Sequence, residues 1–210
     1  MSVAEKTIIR SARKAKGHGH LRRAEILEAA ERIFIAYGYE GATIRKIADE
    51  VGVSSTALYV HVRDKGEILA EICANTFNEL YEITAAIAAE NLAPLEKLRR
   101  MLESYVDFGL ANPSAYRLVY GATPMSLSEE QRKAMDAVQW RPYGPFNEAI
   151  TAAVEGGHLK ADARLASEIF WMGSHGLIEL LLTRPANPWV ESAKLKATMI
   201  DTLFYGLVRT

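Results

Sequence analysis

The chain has 210 residues, of which 49% are hydrophobic and 24% charged, so it can bury one sizeable core or two small ones. The single cysteine, Cys73, excludes an internal disulfide and is expected to be a small core residue. No apolar run reaches the roughly 18 residues that a membrane-spanning helix needs, and the N-terminus lacks the apolar segment of a signal peptide. We therefore expect a cytoplasmic protein with no membrane partner.

The net charge of −1 conceals an uneven distribution of charged residues. Residues 1–70 hold 12 Lys/Arg and 9 Asp/Glu, whereas residues 71–210 hold 13 and 17. The basic excess is sharpest in residues 1–23, which contain a single acidic side chain, Glu5. A basic first third followed by an acidic remainder predicts that the N-terminal part contacts phosphate groups.

Residues 1–19 show no amphipathic period, and we interpret them as a basic flexible arm. Two interpretations of this arm stay open: an extension along a nucleic-acid backbone or into a minor groove, or a solvated tail without defined contacts. The two histidines His18 and His20 are weak evidence for a metal site. We predict no metal and no cofactor.

Three short helices are predicted after the arm. Residues 20–37 form the first. Thr43 can cap the second with its hydroxyl, and Gly52 ends it because glycine tolerates the left-handed conformation. Ser54 can cap the third, from about Ser55 to Val62. A helix, a glycine-containing turn and a second helix are the outline of helix-turn-helix DNA readers, in which the last helix enters the major groove.

The rest of the chain is predicted to be helical as well. Asp64 and Glu67 have capping-box spacing and begin a long helix that continues to about Ala89. The last two predicted helices are apolar over more than one face, which predicts burial within one subunit and at a subunit interface. The helices after Ala89 span approximately residues 95–111, 114–121 (ended by Thr123-Pro124), 127–155 with a break at 141–145, 162–183 and 189–208.

The stretch from about Leu21 to Leu69 resembles the DNA-binding domain of the tetracycline-repressor (TetR) family of bacterial transcription regulators. Thr56 stands where the family very often has glycine, and Val62 where it usually has phenylalanine. The matching residues are Ala29-Ala30, Phe34, Gly38-Tyr39, Thr43, Ile47-Ala48, Gly52-Val53-Ser54, Leu58-Tyr59, His61, Lys65 and Ile68-Leu69.

This resemblance implies an all-α fold with a three-helix helix-turn-helix DNA-binding head at 20–66 and a ligand-binding and dimerisation domain at 67–210. In the family, the last two helices form a four-helix bundle across a two-fold axis. A homodimer of this kind would present two recognition helices to a palindromic operator on double-stranded DNA.

The candidate DNA-binding residues lie in the helix-turn-helix and just after it. Thr43 and Tyr59 are expected to hydrogen-bond phosphates, with His61 and Lys65 adding positive or donor contacts. Four residues are expected near base edges: Arg45, Ser55, Thr56 and Ala57. Of these, Arg45 could bind guanine. Alternatively, Tyr59 mainly packs and Arg45 is solvated. The full set is Thr43, Arg45, Ser54, Ser55, Thr56, Ala57, Tyr59, His61 and Lys65.

The segment Trp171-Met172-Gly173-Ser174-His175-Gly176 resembles the Trp-x-x-x-His-Gly signature of one TetR-family regulatory subclass. The resemblance implies a ligand-responsive helical core. We expect an apolar pocket among the central helices, although any of these side chains could be plain core, and His175 could simply fix helix packing. The candidate ligand-binding residues are Met101, Tyr105, Phe108, Tyr116, Trp140, Tyr143, Phe146, Trp171 and His175.

The sequence therefore predicts a dimeric repressor that leaves its operator when a small apolar or aromatic effector binds the core. The connecting helix from Lys65 to Ala89 would tilt and move the heads apart. Two alternatives remain. One is a helical enzyme using His175 and an acidic partner, for which the sequence offers no catalytic constellation. The other is an architectural DNA binder with little sequence preference and no effector.

Overall fold

The computed structural model describes residues 19–120 and 127–209. The predicted arm therefore lies outside the described residues except for Gly19, as does the helix end predicted at Thr123-Pro124. The described residues form α-helices and no β-strand, with one isolated bridge between Leu159 and Val208. The prediction of an all-α fold is confirmed.

Ten helices follow one another within the described ranges. Their bounds are α1 (Gly19–Gly41), α2 (Ile44–Val51), α3 (Ser55–Tyr59), α4 (Lys65–Ala89), α5 (Pro94–Ala111), α6 (Pro113–Tyr120), α7 (Glu129–Gln139), α8 (Tyr143–Glu155), α9 (Ala163–Thr183) and α10 (Ser192–Leu207).

The chain divides into two compact units, Met1–Leu69 and Ala70–Thr210, and α4 runs from the first into the second. In the first unit, α1 extends beyond its predicted end at residue 37 because the chain kinks at Gly38 and continues to Gly41. Gly38 has φ 68° and ψ 165°, a conformation open almost only to glycine. The glycine therefore bends the element before the last turn instead of ending it.

The core of the second unit is built from α5, α8, α9 and α10. Phe170 of α9 is its central aromatic side chain, fully buried, with its ring centroid 6.4 Å from that of Phe146 on α8 and 5.2 Å from that of Phe204 on α10. Cys73 on α4 is also fully buried, and burial raises the pKa of its thiol to about 12. The prediction that Cys73 is a core residue is confirmed.

The break predicted at residues 141–145 is present but lies at 140–142, between α7 and α8, and residues 143–145 form the first turn of α8. Pro145 is tolerated there because the N–H groups of the first turn have no intrahelical partner. Pro142 precedes the first turn of α8, is buried, and accepts a hydrogen bond at its carbonyl from Thr84 Oγ1 at 3.4 Å. The neighbouring Arg141 donates to the Asn78 side chain and places its guanidinium 4.2 Å from the ring centroid of Tyr81. Arg141 and Pro142 therefore both bond residues of α4, which fixes the junction between α7 and α8 against that helix.

Candidate nucleic-acid interface and ligand cavity

The caps predicted for α2 and α3 are formed by side chains. Thr43 Oγ1 accepts from Lys46 N at 3.2 Å, and Ser54 Oγ accepts from Ala57 N at 3.1 Å. Between them Gly52 adopts φ 76° and ends α2 in the left-handed conformation. Both hydroxyls act as acceptors here, so their protons remain available to donate to a phosphate oxygen.

Most candidate base and phosphate contacts are solvent-accessible. The Arg45 side chain is 85% exposed, and its ion pair with Asp49 is long at 3.9 Å. Thr56 and Ala57 are exposed, Ser55 and His61 are half-buried, and Tyr59 is 56% exposed. An aromatic residue with more than half of its surface in solvent contributes little packing energy, so the alternative that Tyr59 chiefly packs fits poorly.

Lys65 is held within the first unit by carbonyl groups and a carboxylate. Its Nζ donates to the carbonyl of Tyr39 at 2.9 Å and lies 3.5 Å from that of Ala42, 3.7 Å from the Glu40 carboxylate and 4.2 Å from the Tyr39 ring centroid. The side chain therefore holds the segment that leads from the end of α1 to the Thr43 cap. Its contact with a DNA phosphate stays a prediction.

A second polar network fixes the loop between α3 and α4. The Arg23 guanidinium on α1 donates to the carbonyl of His61 and, at 2.9 Å, to Glu67 Oε1. Glu67 Oε2 accepts from Arg63 N at 2.7 Å, while Asp64 Oδ1 accepts from Glu67 N at 2.8 Å. One hydrogen bond of the predicted capping box, from Glu67 N to Asp64 Oδ1, is therefore present.

The Glu67 network predicts a pH dependence of stability. Burial raises the pKa of Glu67, but hydrogen bonds from Arg63 N and from the Arg23 and Arg63 guanidiniums outweigh it and hold the pKa below its ordinary value of 4.5. A carboxyl with a lowered folded pKa stabilises the fold above its unfolded pKa, and that contribution disappears as pH falls through the folded pKa. We expect Glu67→Gln to lower the free energy of unfolding by about 1–2 kcal/mol at pH 7.

Urea denaturation of the two proteins from pH 7 to pH 3 measures this difference. The difference in the free energy of unfolding between Glu67→Gln and the parent should disappear as pH falls below 4.5, the ordinary pKa of the Glu67 carboxyl. Glu28→Gln, which removes an exposed carboxyl on α1, is the control and should change stability little at any pH. A gap that is constant with pH would show that the charge of Glu67 contributes nothing.

In the second unit, a small apolar cavity lies among α4, α5, α8 and α9. Its volume is about 40 Å³, counted as the space that the centre of a water molecule can occupy. Five of the predicted ligand residues line it: Met101, Tyr105, Tyr143, Phe146 and Trp171. The lining also includes Pro142, in the predicted break, and four residues that sequence reasoning missed: Leu80, Thr84, Leu102 and Ser174. Leu80 continues the apolar stripe of α4 and could have been found from it, whereas Thr84 and Ser174 carry no local signal.

Four predicted ligand residues do not line the cavity. Tyr116 and His175 lie behind Tyr105, whose hydroxyl is 3.4 Å from both the Tyr116 hydroxyl and His175 Nδ1. Trp140 is 60% exposed and packs beside Tyr143 with ring centroids 5.2 Å apart, while Phe108 is buried elsewhere. Sequence reasoning identified α5, α8 and α9 correctly, but it missed α4 and could not distinguish the cavity face of α5 from its neighbouring face.

His175 makes hydrogen-bond and ring contacts within the second unit, which fits the alternative that it fixes helix packing. The Tyr116 hydroxyl and His175 Nδ1 are 2.5 Å apart, and the imidazole stacks on Trp171 at 5.1 Å. Burial lowers the pKa of His175, with Glu179 acting in the opposite direction, so the ring is neutral at pH 7. Neutral His175 can accept at Nδ1 the hydroxyl proton of Tyr116.

Two further kinds of site are absent from residues 19–120 and 127–209. Within these ranges, no three or more His, Cys, Asp and Glu side chains come together in a way that could hold a metal ion. In the same ranges, no helix is both long and apolar enough to cross a membrane.

Comparison with known proteins identifies both units. Residues 26–72 match the family model described as bacterial regulatory proteins, tetR family, and residues 98–203 match that of the tetracyclin repressor-like C-terminal domain. The transcriptional repressor KstR2 of Mycobacterium tuberculosis is 33% identical over 119 residues, which are 57% of this chain and 59% of KstR2. The chain spans between 34% and 59% of the length of the first curated relatives that it matches.

Solved structures agree with these matches over more of the chain. The TetR family regulator PfmR from Thermus thermophilus superposes with a TM-score of 0.71 at 25% identity, covering 86% of this chain and 97% of PfmR. AibR, solved with isovaleryl coenzyme A and operator DNA, gives a TM-score of 0.72 at 21% identity over 87% of this chain and 98% of AibR, a likeness of fold alone. Because the C-terminal family model alone covers half of the chain, the protein belongs to the TetR family of bacterial transcriptional regulators, which are not enzymes.

Proposed function

We propose that this TetR-family regulator is a homodimeric, ligand-responsive repressor that leaves a palindromic operator when a small effector occupies the cavity in its second unit. The observation that best supports this proposal is that one chain contains both a helix-turn-helix with an accessible face and an aromatic-lined cavity in a separate unit. KstR2 is a repressor, and AibR binds both an acyl coenzyme A and operator DNA, which supports the pairing of the two activities.

In the proposed complex, the DNA-binding domain is residues 20–66. Thr43 and Tyr59 donate to phosphate oxygens, and Lys65 and His61 add to the same backbone contacts. Arg45 and the first turn of α3 (Ser55, Thr56 and Ala57) read base edges in the major groove. The exposure of Arg45 and Tyr59 supports these roles, since both side chains can reach a partner without the head refolding.

Dimerisation is proposed through α9 and α10. One face of α9 carries three apolar side chains along its length that are each about half exposed: Leu165, Met172 and Leu180. On α10, Tyr205 is 80% exposed. An apolar stripe of this kind stabilises a two-fold interface when the same face of a second copy covers it. Two-fold symmetry would place the two heads on the half-sites of an inverted repeat.

Coupling between the two sites must be reciprocal. If effector binding weakens operator binding by a given factor, operator binding weakens effector binding by the same factor. The continuous helix α4, which belongs to both units, is the proposed mechanical link. The Trp-x-x-x-His-Gly signature supports a ligand-responsive core of the subclass that carries it.

The proposal is tested by selecting bound sequences from random duplexes of about 30 base pairs, long enough for half-sites one helical turn apart. The selected DNA should contain an inverted repeat, and fluorescence anisotropy should show a preference for it of roughly a thousandfold or more over scrambled DNA. Binding that is equal for both DNAs and steeply salt-dependent would contradict the proposal and favour an architectural DNA binder.

A further inference from the structure

Two buried polar groups on α9 face the cavity without a well-formed hydrogen bond. Ser174 is only 1% exposed, and its hydroxyl has no hydrogen-bond partner among the described residues. The buried indole Nε1 of Trp171 also lacks a hydrogen bond of good geometry, although it interacts with the neighbouring Tyr143 hydroxyl. Both residues line the cavity, and they are three residues apart, so they share one face of the helix.

Leaving such groups without partners is costly. A buried donor or acceptor that loses its hydrogen bond keeps the full cost of its removal from water, and buried polar groups in native proteins are nearly always satisfied. The indole N–H can only donate, whereas the Ser174 hydroxyl can donate or accept. A ligand oxygen with two lone pairs would satisfy both groups at once.

The remainder of the cavity lining sets the charge of the ligand. None of the ten lining residues is Lys, Arg, Asp or Glu. Burial raises the pKa of Tyr105 and of Tyr143, so both phenols are neutral at pH 7. His175, behind Tyr105, is neutral because burial lowers its pKa. A charged group bound here would lack an opposite charge, which makes its removal from water expensive.

We infer, building on the proposed function, that the effector is an uncharged molecule with a flat apolar body and a single hydrogen-bond acceptor of the carbonyl type. The carbonyl oxygen accepts from Trp171 Nε1 and Ser174 Oγ. The apolar body packs against Met101, Tyr143 and Phe146, which supply adaptable volume and aromatic faces.

Four probes of one shape test this assignment by isothermal titration calorimetry on the full-length protein. Acetophenone carries a neutral carbonyl, and α-methylstyrene has a methylene group in place of its oxygen. Benzoate is an anion of similar shape, and benzamidinium is a cation. We expect acetophenone to bind about tenfold more tightly than α-methylstyrene, as one to two hydrogen bonds would give, and the two ions not to bind measurably.

Two variants assign the discrimination to the proposed atoms. Ser174→Ala and Trp171→Phe should each bring the affinities for acetophenone and α-methylstyrene about threefold to tenfold closer together. Ser174→Ala should not lower the melting temperature, because the hydroxyl that it removes has no partner. The matched controls are Ser167→Ala, whose hydroxyl bonds the Asn147 side chain, and Trp189→Phe, whose indole donates to the Arg184 carbonyl; both should leave the ratio unchanged.

The inference is overturned if α-methylstyrene binds as tightly as acetophenone, if benzoate or benzamidinium binds more tightly, or if none of the four binds. It is also overturned if the two variants lower the melting temperature and leave the affinity ratio unchanged, since that is the behaviour of purely structural residues. Operator binding is measured separately on the same protein preparations before any probe is added. Sequence-specific DNA binding by the probe-free protein together with any of these outcomes rejects the ligand assignment alone, whereas the absence of specific DNA binding from the probe-free protein rejects the proposed function.

Discussion

Replacing Phe170 with alanine is expected to lower the free energy of unfolding of the second unit by about 3–5 kcal/mol. Phe170 is fully buried on α9, and its ring lies between Phe146 of α8 and Phe204 of α10. Truncation loses the free energy gained by burying the ring, and it leaves a cavity among three helices. The structure loses further stability to the extent that these helices cannot move together to fill that cavity.

Urea denaturation followed by far-UV circular dichroism measures this loss. Phe170→Leu is the matched control, because it keeps most of the apolar volume and should cost less than about 1.5 kcal/mol. Trp140→Ala removes a larger ring, but one that is 60% exposed, and should cost no more than about 1 kcal/mol. Similar losses for Phe170→Ala and Trp140→Ala would contradict the position of Phe170 at the centre of this core.

The head could be predicted from its sequence because its determinants are local. Thr43, Gly52 and Ser54 each act within three residues of their own position, as caps and as a left-handed helix end. The break at Pro142 is equally local, since the proline ring excludes a continuous helix. Rules of this kind need no knowledge of which helices pack together, and the structure confirms them residue by residue.

The cavity could be predicted only as a region. Its lining combines residues from four helices that are far apart in the sequence, and periodicity does not fix the rotation of each helix about its axis. Met101 and Phe108 are both buried on α5, yet only Met101 reaches the cavity. Ser174 was missed because a serine between a glycine and a histidine carries no signal until its burial and missing partner are known.

Lys65 shows a further limit of motif reasoning. A lysine in the first turn of a helix is a sound anion-site prediction from charge and helix dipole. In the structure its ammonium group is held by the carbonyls before Thr43 and by the Tyr39 ring. The motif did not predict these intramolecular acceptors, which compete with a DNA phosphate for the same three protons.

Arg45→Ala is expected to produce the largest loss of operator affinity among single substitutions in the head, provided that the proposed function is correct. The side chain is 85% exposed in the first turn of α2, with only a long ion pair to Asp49 to give up. A bidentate contact to a base is worth about 1–3 kcal/mol, and a dimer loses two of them. Operator affinity should therefore fall roughly thirtyfold or more, with the preference for one base pair in each half-site relaxed.

The stability of the head should change by less than about 0.5 kcal/mol, since exposed ion pairs contribute little. Arg32→Ala is the control: it removes the same charge from the same unit, where the guanidinium pairs with Glu50 at 3.0 Å. Anisotropy titrations with the operator, its single-base variants and scrambled DNA separate three roles for Arg45. Loss of operator affinity with relaxed base preference indicates base reading, whereas an equal loss on all DNAs, with a salt slope reduced by about 2 because the dimer loses two contacts, indicates a phosphate contact. Affinities unchanged on every DNA would show that Arg45 is simply solvated, and base reading would then have to come from the first turn of α3.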